Sequence, residues 1–305
     1  MSASLTPAAK RMAKERKDLE EASNQETDQD YVVFFQDHDL LQFDAYVIAP
    51  DTIYRYRLVK LHFDIPNTYP TDPPKVTFIQ YSGGRIHPNL YVDGKVCLSI
   101  LNTWDGQEWV PEMTCHAVLI TIRSLLDDEP FKHEPDENNN TGVNNPEFNN
   151  YVEYRTWISL LTDYLWPRRE ANPEARAWLD RYVCKNGPKM LREYSKQQHR
   201  ASVSHRKSVK DVYCGPDSPG EDLDYPGWFE ALGTAILAAA ARGGAIIFTH
   251  TPSESPPLKR KADHQQPSTT GEGSEDAEKN GKKQAKSSAA PKPKSPPETI
   301  DLTSP

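Results

Sequence analysis

Between Tyr31 and Phe78 the chain turns to a period of two and becomes rich in β-branched and aromatic residues. The runs YVVFF, FDAYVIA, YRYRLVKLHFDI and KVTFI are separated by the turn signals Asp37–Asp39, Pro50-Asp51 and Pro66-Asn67. Side chains alternate across a strand, and short polar turns join strands that are neighbours in sequence, so this pattern dictates a four-stranded antiparallel meander. Such a sheet must bury at least one face under helices, and the flanking sequence supplies them. Residues 5–22 place Leu5, Met12 and Leu19 seven apart with Ala8, Ala9 and Ala13 between, an apolar helical stripe begun by Thr6-Pro7. Its other faces carry Lys10, Arg11, Lys14, Arg16 and Lys17. From His116 to Leu126 apolar residues fall on nearly every face, as in a buried helix.

Residues 127–150 are loop chemistry, rich in Asn, Pro and acids. Three helices are expected after them, Tyr151–Trp166, Pro173–Lys185 and Lys189–Arg200, the second closed by Asn186-Gly187-Pro188. Leu232–Phe248 is broken by Arg242, Gly243 and Gly244 and is short for a bilayer span, so it is read as a packing helix followed by a short strand. No membrane association is expected. The class is therefore α+β, with a first domain over 5–165, a helical extension over 166–250 and a tail over 251–305. That tail has no Phe, Tyr or Trp among its 55 residues and is expected to be disordered.

The tail holds 9 of the 36 Lys and Arg and 8 of the 44 Asp and Glu, which leaves residues 1–250 with 27 basic against 36 acidic side chains. An acidic domain cannot displace counterions from phosphates, so nucleic acid is not an expected partner. Cys97, Cys115, Cys184 and Cys214 form no CxxC pair, and neither a zinc ribbon nor a disulfide framework is suggested. The charged N-terminus lacks the apolar run of a secretory signal. The expected location is the nucleus, the cytoplasm or both.

The chemistry lies in Tyr69–Trp109. Tyr69-Pro70-x-x-Pro73-Pro74, then His87-Pro88-Asn89, then Gly94-Lys95-Val96-Cys97-Leu98 occur in that order, with Cys97 eight residues after Asn89. This ordered set resembles the ubiquitin-conjugating enzyme family, whose domain is a four-stranded antiparallel sheet flanked by helices and followed by an extended catalytic segment. Passing an acyl group between thioesters requires a thiol, which is both a good nucleophile and a good leaving group. The resemblance makes Cys97 that residue; outside the motif it would read as a small core hydrophobe. Asn89 either donates to the oxyanion of the tetrahedral intermediate or braces the loop over Cys97, and the two uses are compatible. His87 and Pro88 are expected to be structural, as are Trp104 and Trp109. After the buried helix the chain reads Asp128-Glu129-Pro130-Phe131-Lys132-His133-Glu134-Pro135, so His133 or Glu134 would occupy the position of the family's acidic gate residue.

The GKVCLSIL string and the short insertion between Trp104 and Trp109 resemble the Z-type branch. The resemblance implies a modifier, ubiquitin by default or a ubiquitin-like protein. It also implies an activating enzyme contacting Lys10, Arg11 and Lys14, and a ligase contacting Thr71, Val110 and Pro111. No cofactor is expected, since ATP belongs to the activating enzyme and no phosphate-cradling Gly-rich loop occurs. A catalytically inactive adaptor of the same fold and a cysteine hydrolase are the rival readings. In the tail, Pro257-Leu258-Lys259-Arg260-Lys261 reads as a nuclear-import patch. Pro297–Ser304 resembles a SUMO-interacting motif, with Ile300 and Leu302 filling an apolar groove and Asp301 at its basic rim.

Overall fold

The structure, a computed structural model, describes residues 6–24, 29–36, 38–134, 145–166, 169–214 and 218–242. The tail, with Ile300, Asp301, Leu302 and the import patch, lies outside them, as does the short strand expected before residue 250. Strands β1 (Tyr31–Gln36), β2 (Asp39–Ile48), β3 (Leu58–Asp64) and β4 (Lys75–Ile79) pair antiparallel in sequence order. The register sets Phe43 opposite Phe63, whose rings stack at 4.5 Å, with Ala45 opposite Leu61 and Val47 opposite Val59.

Helices α1 (Pro7–Ser23) and α2 (Cys115–Leu125) lie on that face. The Tyr31 hydroxyl meets His116 Nδ1 at 2.7 Å, and the Arg16 guanidinium sits 4.6 Å from the centre of the Phe35 ring. Both helices begin as their sequences dictate, with the hydroxyls of Thr6 and Thr114 accepting the backbone N–H of Ala9 and Ala117.

The opposite face carries Phe34, Tyr46 and Lys60 and is covered by later chain. Helix α3 (Pro146–Ser159) continues into a widened helical turn, Leu160–Leu165, and is followed by α4 (Pro173–Val203). Trp178 of α4 lies 5.8 Å from the Tyr46 ring and 6.3 Å from Phe34. Lys60 Nζ reaches Glu170 at 2.7 Å and Asp44 at 3.0 Å, and the Tyr46 hydroxyl also donates to Glu170. Glu170 is buried, and these donors compensate the charge it takes out of water.

Helix α4 corrects one expectation. It runs unbroken through Asn186-Gly187-Pro188, where a helix end was expected. The reason is tertiary. Helix α5 (Tyr225–Ala241) packs on α4 so closely that a Cβ at Gly187 would stand 3.0 Å from Ile236, and this contact overrides the local preference to stop. The residues between them, unassigned from sequence, return to α3 through the short ladder β5 (Ser208–Val209) and β6 (Glu221–Asp222). There Arg155 pairs with Glu221 at 3.1 Å, and the Tyr154 hydroxyl accepts the Asp224 N–H at 2.9 Å. Among the described residues no helix is long and apolar enough to cross a membrane.

Candidate active site

Beyond β4 the chain runs extended across the domain. Gly84 has φ +84°, and a Cβ there would strike the Tyr151 hydroxyl and Arg155. Only glycine lets α3 grip this backbone, which Arg155 Nε does by donating to the Gly83 carbonyl at 3.2 Å. A second glycine, Gly94 at φ +92°, closes the turn after Tyr91 and passes against the Phe78 backbone. The turn returns Val96 and Cys97 alongside Leu90 and Asn89.

His87 is fully buried and both ring nitrogens are engaged. Nδ1 accepts the Asn89 N–H at 3.0 Å, so the ring proton is on Nε2, which donates to the Leu125 carbonyl at 3.0 Å. Burial pushes the ring's pKa down to about 3; His133 and Arg85 add to the shift, and the Leu125 carbonyl opposes it. With the ring neutral and its acceptor nitrogen occupied, His87 links the Asn89 backbone to the end of α2. Pro88 is buried, and its carbonyl accepts from Arg85.

Asn89 holds the cysteine strand twice. Its carbonyl accepts the Cys97 N–H at 2.9 Å and its Nδ2 donates to the Cys97 carbonyl at 2.8 Å, leaving Oδ1 buried without a partner. In this conformation the amide is a brace.

Cys97 itself has no exposed surface, and its thiol lies 3.4 Å from the Thr103 carbonyl. The Thr103 hydroxyl folds its loop back by accepting the Leu98 N–H at 2.8 Å and donating to the Val96 carbonyl at 2.8 Å. Burial raises the thiol's pKa; Lys95, Arg85 and the Tyr91 hydroxyl oppose that rise, and Glu134 adds to it.

The two tryptophans differ. Trp109 is buried against Tyr69 and donates from Nε1 to the Pro70 carbonyl at 2.8 Å. Trp104 is 45% exposed on the loop after Thr103. The Trp109–Pro70 bond brings together the two loops that bear Thr71, Val110 and Pro111, all exposed. On α1, Lys10 and Lys14 are exposed. Arg11 is turned inward, 2.5 Å from Glu15 and donating to the Met113 carbonyl at 3.0 Å, because Glu15 is buried against Tyr69 and the Cys115 N–H and needs a counter-charge.

The short helical turn Pro130–His133 ends at the two gate candidates, His133 as its last residue and Glu134 as the residue that caps it. His133 Nε2 lies 2.8 Å from Asp127, and its ring is 5.6 Å from His87. The Glu134 carboxylate accepts the Tyr213 hydroxyl, and its charge adds to the rise in the Cys97 thiol's pKa. Tyr213 carries no motif and was not foreseen. Of the other cysteines, Cys115 and Cys184 are buried and Cys214 is exposed; all four are free thiols.

The family model for ubiquitin-conjugating enzymes matches residues 11–156. Ubiquitin-conjugating enzyme E2 Z of Danio rerio is 35% identical over 132 residues, 42% of this chain and 40% of that relative. E2 Z of Homo sapiens is 39% identical over 100 residues, 32% of this chain and 28% of the relative. The chain thus spans well under half the length of the curated relatives it matches. The solved structure of human ubiquitin-conjugating enzyme E2 G1 aligns at 26% identity over 41% of this chain and 98% of that one, with a TM-score of 0.35. Residues 11–156, the stretch that carries the braced Cys97, match the ubiquitin-conjugating enzyme family and resemble its E2 Z members.

Proposed function

We propose that the protein accepts ubiquitin from an activating enzyme as a thioester on Cys97 and passes it to substrate lysines. The observation that carries this reading is the double hydrogen bond from Asn89 to the Cys97 strand within a domain of this family. The Cys97 thiolate attacks the thioester carbonyl of the charged activating enzyme, whose thiolate leaves, and the acyl group is then carried on Sγ. A lysine amine attacks in turn, loses a proton, and expels the Cys97 thiolate. Asn89, released from the Cys97 carbonyl or using its second amide hydrogen, stabilises the oxyanion of that step. Desolvation and the gate region around His133 and Glu134 favour the neutral amine. Because Cys97 has no exposed surface, its surroundings must rearrange before a partner can reach it.

The partners are ubiquitin or a related modifier, an activating enzyme reaching Lys10 and Lys14, and a ligase on the Thr71, Val110 and Pro111 surface. ATP is consumed by the activating enzyme. SUMO is proposed for the Ile300–Leu302 segment, with residence in the nucleus or cytoplasm. The test is to incubate the chain with ubiquitin, ATP and an activating enzyme and resolve the products with and without reductant. A reductant-sensitive band one ubiquitin larger is expected. Its absence with every activating enzyme and modifier, in folded protein, would favour the inactive adaptor.

A further inference from the structure

The segment after α4 returns to the cysteine loop. Asp211 accepts the Arg85 backbone N–H at 3.3 Å, two residues before His87. The Arg85 guanidinium lies between two rings, 3.9 Å from the centre of Tyr91 and 3.9 Å from that of Tyr213. The Tyr213 ring packs edge-on to Phe148 of α3 at 5.6 Å and lies 6.3 Å from Phe131 of the gate turn, and its hydroxyl donates to Glu134. One side chain from the extension thus touches both the segment that leads into the histidine–proline–asparagine triplet and the residue that follows His133.

We infer that Tyr213 is a positioning residue for acyl transfer, holding the Glu134 carboxylate and the Arg85 guanidinium in place at the segment that leads into His87, Pro88 and Asn89. The inference rests on the thioester reading above and adds that the extension completes the site rather than merely packing on the domain. Two opposite charges that act on the thiol both touch this side chain, Arg85 at the face of the ring and Glu134 at the hydroxyl. Glu134 raises the thiol's pKa and Arg85 lowers it, so displacing either alters the field in which the oxyanion forms and the thiolate departs. The ring supports Arg85 and the hydroxyl supports Glu134, which lets substitution separate the two effects.

The experiment uses the full chain charged with ubiquitin, with further charging quenched, and follows discharge to free lysine over a range of lysine concentrations. Tyr213→Phe keeps the ring and removes the hydroxyl. It is expected to lower kcat for discharge about tenfold, the scale of one hydrogen bond to a charged group, with KM for lysine held within about twofold. Glu134→Gln should lower kcat to a similar extent, and the double variant should be no slower than the slower single variant, because both remove the same contact. Tyr154→Phe also deletes a hydroxyl joining the extension to α3, at Asp224 rather than at Glu134, and should discharge at the wild-type rate. Discharge of Tyr213→Phe at the wild-type rate, multiplication of the two single effects in the double variant, or equal slowing by Tyr154→Phe would each overturn the inference while leaving the thioester reading intact. A wild-type chain that never charges would overturn both.

Discussion

Replacing His87 by Asn exchanges a buried titratable ring for a side chain whose carbonyl can still accept the Asn89 N–H. Near pH 7.5 the variant loses the bond from Nε2 to the Leu125 carbonyl and should be less stable by about 1–3 kcal/mol. That deficit should depend on pH in a direction the burial dictates. The ring's pKa falls from 6.5 to about 3 on folding, so between these values the unfolded chain binds a proton that the folded chain does not. The stability associated with the neutral ring is therefore fully present above pH 6.5 and is lost as pH falls toward 3, at about 1.4 kcal/mol per pH unit. From pH 7.5 to 4.5 the wild type should lose about 3 kcal/mol that the variant does not, so the two should converge or cross. Urea unfolding followed by circular dichroism at half-unit pH steps measures the difference, in which the other titrating groups largely cancel. A deficit that stays constant from pH 7.5 to 4.5 would refute the claim that His87 is held neutral by burial.

Asn89→Ala should slow discharge to lysine more than charging, by about 100-fold or more if the amide meets the oxyanion. Equal loss in both steps, read on gels of each half-reaction, would leave it a brace only. Because burial raises the Cys97 thiol and Lys95 opposes that rise, charging should accelerate as pH increases through the ordinary thiol range, since the thiolate is the nucleophile. Lys95→Ala should slow charging about two- to threefold near pH 7.5 and shift the profile to higher pH, an estimate on the scale of one nearby surface charge; an unchanged profile would contradict the electrostatic account. Replacing Ile300 and Leu302 by Ala should weaken capture on immobilised SUMO without changing charging; undiminished capture would dismiss the motif.

The meander was legible because its burial repeats every two residues and polar turns separate the strands, so Phe43, Ala45 and Val47 read as one face before any contact is known. The set His87, Pro88, Asn89 and Cys97 was legible through its resemblance to a known family, and in the structure a turn at Gly94 brings Cys97 back to Asn89. What escaped sequence reasoning depends on partners far along the chain. Gly187-Pro188 reads as a helix end until Ile236 of α5 is packed against it. Arg11 reads as a free basic residue until Glu15 and the Met113 carbonyl engage it. Tyr213 meets Glu134 across 79 residues of chain, a separation at which no periodicity or motif signals contact. The difference between Trp104 and Trp109 likewise rests on the Pro70 carbonyl, which only the fold brings near Trp109.

The most direct test of the central claim is to locate the acyl bond. Charge the Cys97→Ser variant with ubiquitin, digest it, and identify the modified residue by mass spectrometry. The oxyester should withstand reductant and map to position 97, with the wild-type thioester sensitive to reductant and Cys97→Ala forming neither. An adduct on Cys115, Cys184 or Cys214, or a reductant-sensitive adduct that persists in Cys97→Ala, would contradict the assignment of Cys97 as the acceptor.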